Sequence, residues 1–377
     1  MTFATIEEAI EEIQEGRIVI IVDDEDRENE GDLMAAAEKV TPETINFMAR
    51  HGRGLICLSM TGQRLDELNI PLMVSDHSNT SQYGTAFCVS IEAKRNVSTG
   101  ISAFDRARTV LTAIDPKTRP NDLARPGHIF PLRARDGGVL VRAGQTEASV
   151  DLATIAGLNP SAVICEIMKE DGTMARVPDL FEFATQHGLK IITVADLIRY
   201  RLRTERFVRK VGETVLPTRH GRFRMISFES VIDSESHIAL VKGDIEHAEN
   251  VLVRVHSHCL TGDVFGSVAC HCQEQIDRAL SMIESEGRGV FLYLHQEGHS
   301  KCGDELQYHG KYSPDSNETL GLRGEQREYG IGAQILASLN IKTMRIITNH
   351  PRKLVALEAY GLTITAQVPF SVVPAVR

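Results

Sequence analysis

Apolar residues recur at Ile6, Ile10 and Ile13 along FATIEEAIEEIQEG, the spacing of one helical face, and Gly16 marks its stop. RIVIIV (17–22) follows, a β-branched run without alternation, as expected of a strand buried on both faces. The two patterns then take turns. Helices are expected at PETINFMARHG, SAFDRARTVLTAI, SVDLATIAGLN, VPDLFEFATQHG and VADLIRYRLRTERFV, and strands at LICLSM, AFCVSIEA, AVICEIM and KIITV. This reads as one α/β or α+β domain over residues 1–203. RTERFVRKVGETVLPTRHGRF is basic, carries Gly and Pro, and breaks the periodicity, so residues 204–216 read as a linker. From 217 to 377 the pattern restarts. Strands are expected at RFRMISFES, HIALVKG, VLVRVHS, GVFLYLHQEG, MRIITN and ITAQVPF, and helices at QEQIDRALSMIESEG, YGIGAQILASLN and RKLVALEAYG.

A chain of 377 residues exceeds one ordinary core, in keeping with two domains. The net charge of −10 argues against a general nucleic-acid binder, which needs clustered Lys and Arg. No apolar run is long enough for a membrane span, and MTFATIEEAIEEIQEG has the features of no secretory signal. With an odd count of seven cysteines, a reducing, cytoplasmic setting is expected. Cys57, Cys88 and Cys165 stand singly in apolar runs and read as small buried hydrophobes.

Two stretches break from this background. VDDEDRENEGD (22–32) places seven carboxylates in the ten residues after Val22, directly behind a buried strand and interrupted by Arg27 and Asn29. A solvated surface run is the ordinary fate of such a segment; hard oxygen ligands after a buried strand also suit Mg²⁺ with a substrate phosphate. Cys259, Cys270 and Cys272 offer three thiolates, either a catalytic zinc site with an open fourth position or a closed one completed by His256, His258 or His271. His128, in RPGHIFPLRA, reads as an imidazole on a constrained turn, suited to acid–base work or to a purely structural role. Gly144–Gln145–Thr146 runs into a helix, as a phosphate seat or with Thr146 as a simple N-cap.

Taken together, DDEDRENEGD, HGRGLICL, TSQYGTAF, STGISAFDRARTV, RPGHIFPLRA, RAGQTEASVDL and CEIMKEDGTMAR resemble 3,4-dihydroxy-2-butanone 4-phosphate synthase. RVHSHCLTGDVFGSVACHC, QEG, REYGIGAQIL and TNHPRK resemble GTP cyclohydrolase II. The resemblance covers essentially the whole chain, in the order of the bifunctional riboflavin-biosynthesis enzymes. It implies that the first domain converts ribulose 5-phosphate to dihydroxybutanone phosphate and formate with Mg²⁺ or Mn²⁺. Arg27, Asp32, Arg142 and Thr146 would contact substrate, Glu28 would bind the metal, and His128 and Glu166 would move protons. Gln145 stands where the family has a His metal ligand, and a Gln amide oxygen is able to ligate Mg²⁺. For the second domain the resemblance implies Zn²⁺ on Cys259, Cys270 and Cys272, and opening of the GTP guanine ring. Arg327 would be the nucleophile at phosphorus and Glu325 stands at a proton-accepting Asp. Arg254, Gln275, Glu297, Thr348 and Lys353 would contact GTP or a related purine nucleotide. His258 replaces a Glu, His299 replaces an Arg, and HSKCGDELQYHGKYSPDSNETLGLRGEQ is shorter than its family counterpart, with Tyr308 or Tyr312 as stand-ins for a catalytic Tyr. The resemblance also implies a homodimer with first-domain sites built across its interface. Against a working bifunctional enzyme stand two alternatives: a diverged enzyme for another phosphosugar or purine nucleotide, and a silent regulatory scaffold.

Overall fold

In the computed structural model the described residues are 2–25, 27–75, 78–231, 235–268, 270–295, 324–349 and 361–369, with backbone alone for 324–329. They fall into two compact units, one made of Met1–Arg201 and the other beginning at Leu202.

The first unit opens with α1 (Ile6–Gln14), whose Thr5 hydroxyl accepts from the Glu8 N–H while Glu8 Oε2 accepts from the Thr5 N–H. Its seven-stranded sheet is built from β1 (Val19–Val22), β2 (Gly31–Ala36), β3 (Cys57–Thr61), β4 (Ile91–Ala93), β5 (Leu123–Ala134), β6 (Ser161–Glu166) and β7 (Lys190–Thr193), ordered β4-β5-β3-β6-β2-β1-β7. β1 and β2 are antiparallel neighbours, so the acidic segment is the connection of a hairpin, and its last carboxylate, Asp32, lies inside β2 opposite Ile21. The helices are α2 (Pro42–Phe47), α3 (Gly62–Glu67), α4 (Ala103–Ile114), α5 (Gln145–Ile155), α6 (Val177–His187) and α7 (Val194–Thr204). Ile20, Val22, Leu33, Leu58, Val163 and Cys165 from the sheet pack with Ile45 of α2, Val110 of α4 and Leu180 of α6 in one core. α5 differs: from Gln145 to Val150 every residue is buried, polar ones included. A helix enclosed on all sides carries polar side chains only where they are satisfied, and those of α5 serve the site below.

The second sheet contains β8 (Val208–Thr218), β9 (Gly221–Ser230), β10 (Ser236–Lys242), β11 (Val251–Ser257), β12 (Gly289–Leu294), β13 (Thr343–Ile347) and β14 (Thr363–Val368), ordered β14-β13-β11-β12-β10-β9-β8. α8 (Cys272–Glu286) places Ala279, Leu280 and Ile283 against Phe223, Leu252 and Phe291. Helix Gly324–Ser338 places Ile331, Ile335 and Leu336 among the apolar residues of the other core, with Val253 and Leu292.

Three expectations change. The expected linker at 204–216 becomes, from Val208 on, the edge strand β8, paired with β9 over its length. Its Gly212 and Pro217 are tolerated because an edge strand has a side without ladder bonds. α7 stops at Thr204 instead of running to Val208, and the Phe207 N–H donates to Gln334 Oε1. AFCVSIEA is a strand only at Ile91–Ala93, because Phe87 and Cys88 make isolated bridges to different partners, Leu132 and Leu72, rather than a continuous ladder.

Candidate active sites

The hairpin connection of the first unit folds inward around Arg27. The Arg27 side chain is 2% exposed and its Nη1 meets three oxygens: Asp23 Oδ2 at 2.7 Å, Glu28 Oε1 at 2.7 Å and Gln145 Oε1 at 3.0 Å. Asp23 ties the loop back on itself, accepting from the backbone N–H of Glu28 and of Glu30. The guanidinium also lies 4.9 Å from the centre of the Tyr83 ring, a cation–π contact. Near the start of α5, Arg142 Nη1 donates to Glu147 Oε2 at 2.6 Å, and Arg142 Nη2 donates to Tyr83 O and Thr85 Oγ1. Gly144, not Thr146, caps α5, so Thr146 stands in the first helical turn, where backbone N–H groups lack partners within the helix.

Asp32 and Glu166 face each other across the antiparallel β2–β6 pair. Burial pushes the Asp32 carboxyl well above its ordinary range, and the charges of Glu166, Glu28, Asp23 and Glu30 push in the same direction. Glu166 is raised as well, chiefly by burial, although the Leu55 N–H donates to its Oε2 at 2.8 Å and favours the charged form. Glu30 is raised by burial and by Glu28. The pocket therefore holds more carboxylate than Arg27 neutralises, which favours protons or an added cation.

His128 is not part of this group. It lies in strand β5 rather than on a turn, because RPGHIFPLRA pairs through Phe130–Ala134 with β3. His128 lies on β5 and Glu166 on β6, with β3 between them. His128 Nδ1 is 2.7 Å from Glu92 Oε2, a pairing that fixes the ring, and the His128 side chain is 43% exposed. Cys57, Cys88 and Cys165 are buried, with thiols pushed up by burial, Cys88 to about 11.

In the second unit β11 ends at Ser257, and a π-helical turn, Leu260–Val264, carries the chain past Cys259. The Sγ atoms of Cys259, Cys270 and Cys272 all lie within 4.8 Å of one another. Cys259 Sγ and Cys270 Sγ are 3.9 Å apart; tetrahedral zinc with bonds of about 2.3 Å calls for about 3.8 Å. Burial and its two thiol neighbours push the Cys272 thiol up, so a cation is needed for all three to ionise together. Gly262 keeps the space open: a Cβ there would lie 2.4 Å from Cys270 Sγ. The three thiols fit a zinc ion. Beside them the Asp263 carboxylate accepts from His256 Nε2, the Cys259 N–H and the Tyr293 hydroxyl. Burial alone would raise Asp263, yet these donors hold it below the ordinary carboxylate value. His258 stacks on His295, with ring centres 4.8 Å apart.

Arg254 Nη2 donates to Gln275 Oε1 at 2.7 Å and Arg254 Nη1 to the Ile347 carbonyl at 3.0 Å, which joins Arg254, Gln275 and the strand end at Thr348. Glu297 and Lys353, like His299, Tyr308 and Tyr312, lie outside the described residues, as do the side chains of Glu325 and Arg327. Asp23, Tyr83, Glu92, Glu147 and Asp263 were not singled out from the sequence. Each except Glu92 lies inside a motif quoted above, and that was the available signal.

The two sites, an acidic cation-seeking pocket and a three-thiol centre, lie on separate α/β units. Residues 7–200 match the family model described as 3,4-dihydroxy-2-butanone 4-phosphate synthase, and residues 208–369 match GTP cyclohydrolase II. The riboflavin biosynthesis protein RibBA of Aquifex aeolicus (strain VF5) is 55% identical over 99% of this chain and 93% of its own. The crystal structure of RibBX, a two domain 3,4-dihydroxy-2-butanone 4-phosphate synthase from A. baumannii, is similar at 38% identity and a TM-score of 0.78, covering 97% of this chain and 99% of that one. A structure of 3,4-dihydroxy-2-butanone 4-phosphate synthase in complex with two magnesium ions is 42% identical with a TM-score of 0.51, over 54% of this chain and 98% of that one. The chain belongs to the 3,4-dihydroxy-2-butanone 4-phosphate synthase family with a GTP cyclohydrolase II domain behind it, and is a bifunctional enzyme of riboflavin biosynthesis.

Proposed function

We propose that the first site takes ribulose 5-phosphate with Mg²⁺ or Mn²⁺, and that the second takes GTP or a related purine nucleotide with Zn²⁺. The observation that carries the first assignment is the convergence of Asp23, Glu28 and Gln145 oxygens on one cationic nitrogen, Arg27 Nη1. Such a set of hard oxygens fits a divalent ion, and Glu28 and Gln145 would hold it. When bound, the ion supplies Lewis-acid stabilisation of negative charge developing on the ketose oxygens. Arg27 and Arg142 carry charged donors for the substrate phosphate, and the N-terminal turn of α5 at Thr146 adds backbone N–H groups. Asp32 and Glu166, both holding protons more tightly than ordinary carboxyls, suit the accepting and returning of protons at the sugar carbons and hydroxyls. His128, oriented by Glu92 and partly exposed, would complete the site of a second copy in a homodimer.

At the second site Cys259, Cys270 and Cys272 would hold zinc, which when bound supplies an open position at which water becomes acidic. Arg254, Gln275, Glu297, Thr348 and Lys353 would bind the nucleotide, with Glu325 and Arg327 acting at the phosphate. The joined positions of Arg254, Gln275 and Ile347 support this reading. Both reactions release formate. Purified protein given Mg²⁺ and ribulose 5-phosphate, or Zn²⁺ and GTP, should produce formate in proton NMR. Silence with both substrates, beside an active relative, would sink the proposal.

A further inference from the structure

We propose that Asp263 is the positioning residue of the thiol centre: it locks the backbone of Cys259 to β11 and β12 and so sets the spacing of the three sulfurs. The inference rests on the reading of Cys259, Cys270 and Cys272 as a zinc site. Asp263 and Cys259 hold each other in both directions. The Asp263 N–H donates to the Cys259 carbonyl at 2.7 Å, and the Cys259 N–H donates to Asp263 Oδ2 at 2.8 Å. The same carboxylate reaches into the sheet: Tyr293 donates its hydroxyl to Oδ2 at 2.8 Å and His256 Nε2 lies 3.0 Å from Oδ1. His256 and Tyr293 are register partners on β11 and β12, so both strands grip the turn through one side chain. The Asp263 side chain is 4% exposed and that of His256 3%. An ionised carboxylate only accepts, which assigns the proton to His256 Nε2.

The carboxylate also lies close to sulfur, with ligand atoms of Asp263, His256 and Cys272 within 4.8 Å of one another. Both its oxygens already accept from donors, which sets it apart from an open fourth ligand. Charge works the other way: a carboxylate beside thiolates opposes their ionisation. If Asp263 aids metal binding, geometry must outweigh that repulsion. The two effects therefore predict opposite signs for Asp263→Asn, which keeps the size and removes the charge.

The test uses the full chain, stripped with a chelator and titrated with Co²⁺, together with zinc release to a chromophoric chelator. Asp263→Asn should weaken metal binding ten- to hundred-fold, the range for lost partners of metal ligands. Its thiolate-to-cobalt absorption should keep full intensity while the ligand-field bands broaden. Tyr293→Phe, which removes one donor and leaves the fold intact, should move both readouts the same way by a smaller factor. Tighter metal binding in Asp263→Asn, or unchanged affinity and spectrum in both variants, overturns the proposal. Ligand-field bands that move to those of a site short of one oxygen ligand would make Asp263 a ligand and also overturn it. A wild-type chain that takes up no metal would instead sink the zinc reading itself.

Discussion

Arg27 Nη1 donates to Gln145 Oε1 at 3.0 Å, so the amide proposed to hold the metal is engaged by an internal cation. A divalent ion ligated by Gln145 and Glu28 would compete with that nitrogen for the same oxygens. A His at this position would present a ring nitrogen and end the amide's hold on Arg27. Gln145→His is expected to tighten Mn²⁺ binding by roughly tenfold, about 1.4 kcal/mol, and to raise formate release from ribulose 5-phosphate. Isothermal titration with Mn²⁺ measures the first effect directly. Equal affinities in the two proteins would show that Arg27 offers the metal no competition.

The Asp32–Glu166 pair gives the first domain a pH dependence of known sign. Both carboxyls are raised on folding, so the folded chain holds protons that the unfolded chain has released. Stability from these groups is full below ordinary carboxylate values of about 4, and falls as pH rises from there through the folded values. The metal-free first domain should therefore melt at lower temperature as pH increases across that window. Millimolar Mg²⁺ should flatten the slope, since it stabilises the ionised site. Asp32→Asn should flatten it without metal and abolish turnover. A melting temperature that climbs across this window, or a slope unchanged in Asp32→Asn, would contradict the burial argument.

Much of this was legible along the chain. The β-branched run at Ile18–Val22 and the single-face spacing of Ile6, Ile10 and Ile13 gave strand and helix because one pattern had one outcome. Edge strand β8 was not legible, since eight of its eleven residues are exposed and Gly212 and Pro217 mimic a linker. The thiol triad needed only spacing and residue type. The Arg27–Gln145 contact joins residues 118 positions apart, and no local pattern encodes it. Glu92 was missed for the same reason, its partner His128 lying on a neighbouring strand.

Gly262 offers the sharpest steric test of the second site. A Cβ there would meet Cys270 Sγ at 2.4 Å, Cys272 Cβ at 2.8 Å and Cys259 Sγ at 3.2 Å. Cys270 could escape only by turning its sulfur out of the cluster, which removes a ligand. Overpacking of this kind costs about 1–3 kcal/mol, equivalent to a loss of roughly ten- to hundred-fold in zinc affinity. Gly262→Ala should thus hold less than its full zinc complement after dialysis against a weak chelator, by elemental analysis, and lose formate release from GTP. Formate release from ribulose 5-phosphate should stay at the wild-type rate, because that site lies in the other unit. Full zinc retention in Gly262→Ala would mean that the three sulfurs do not close around one ion beside this glycine.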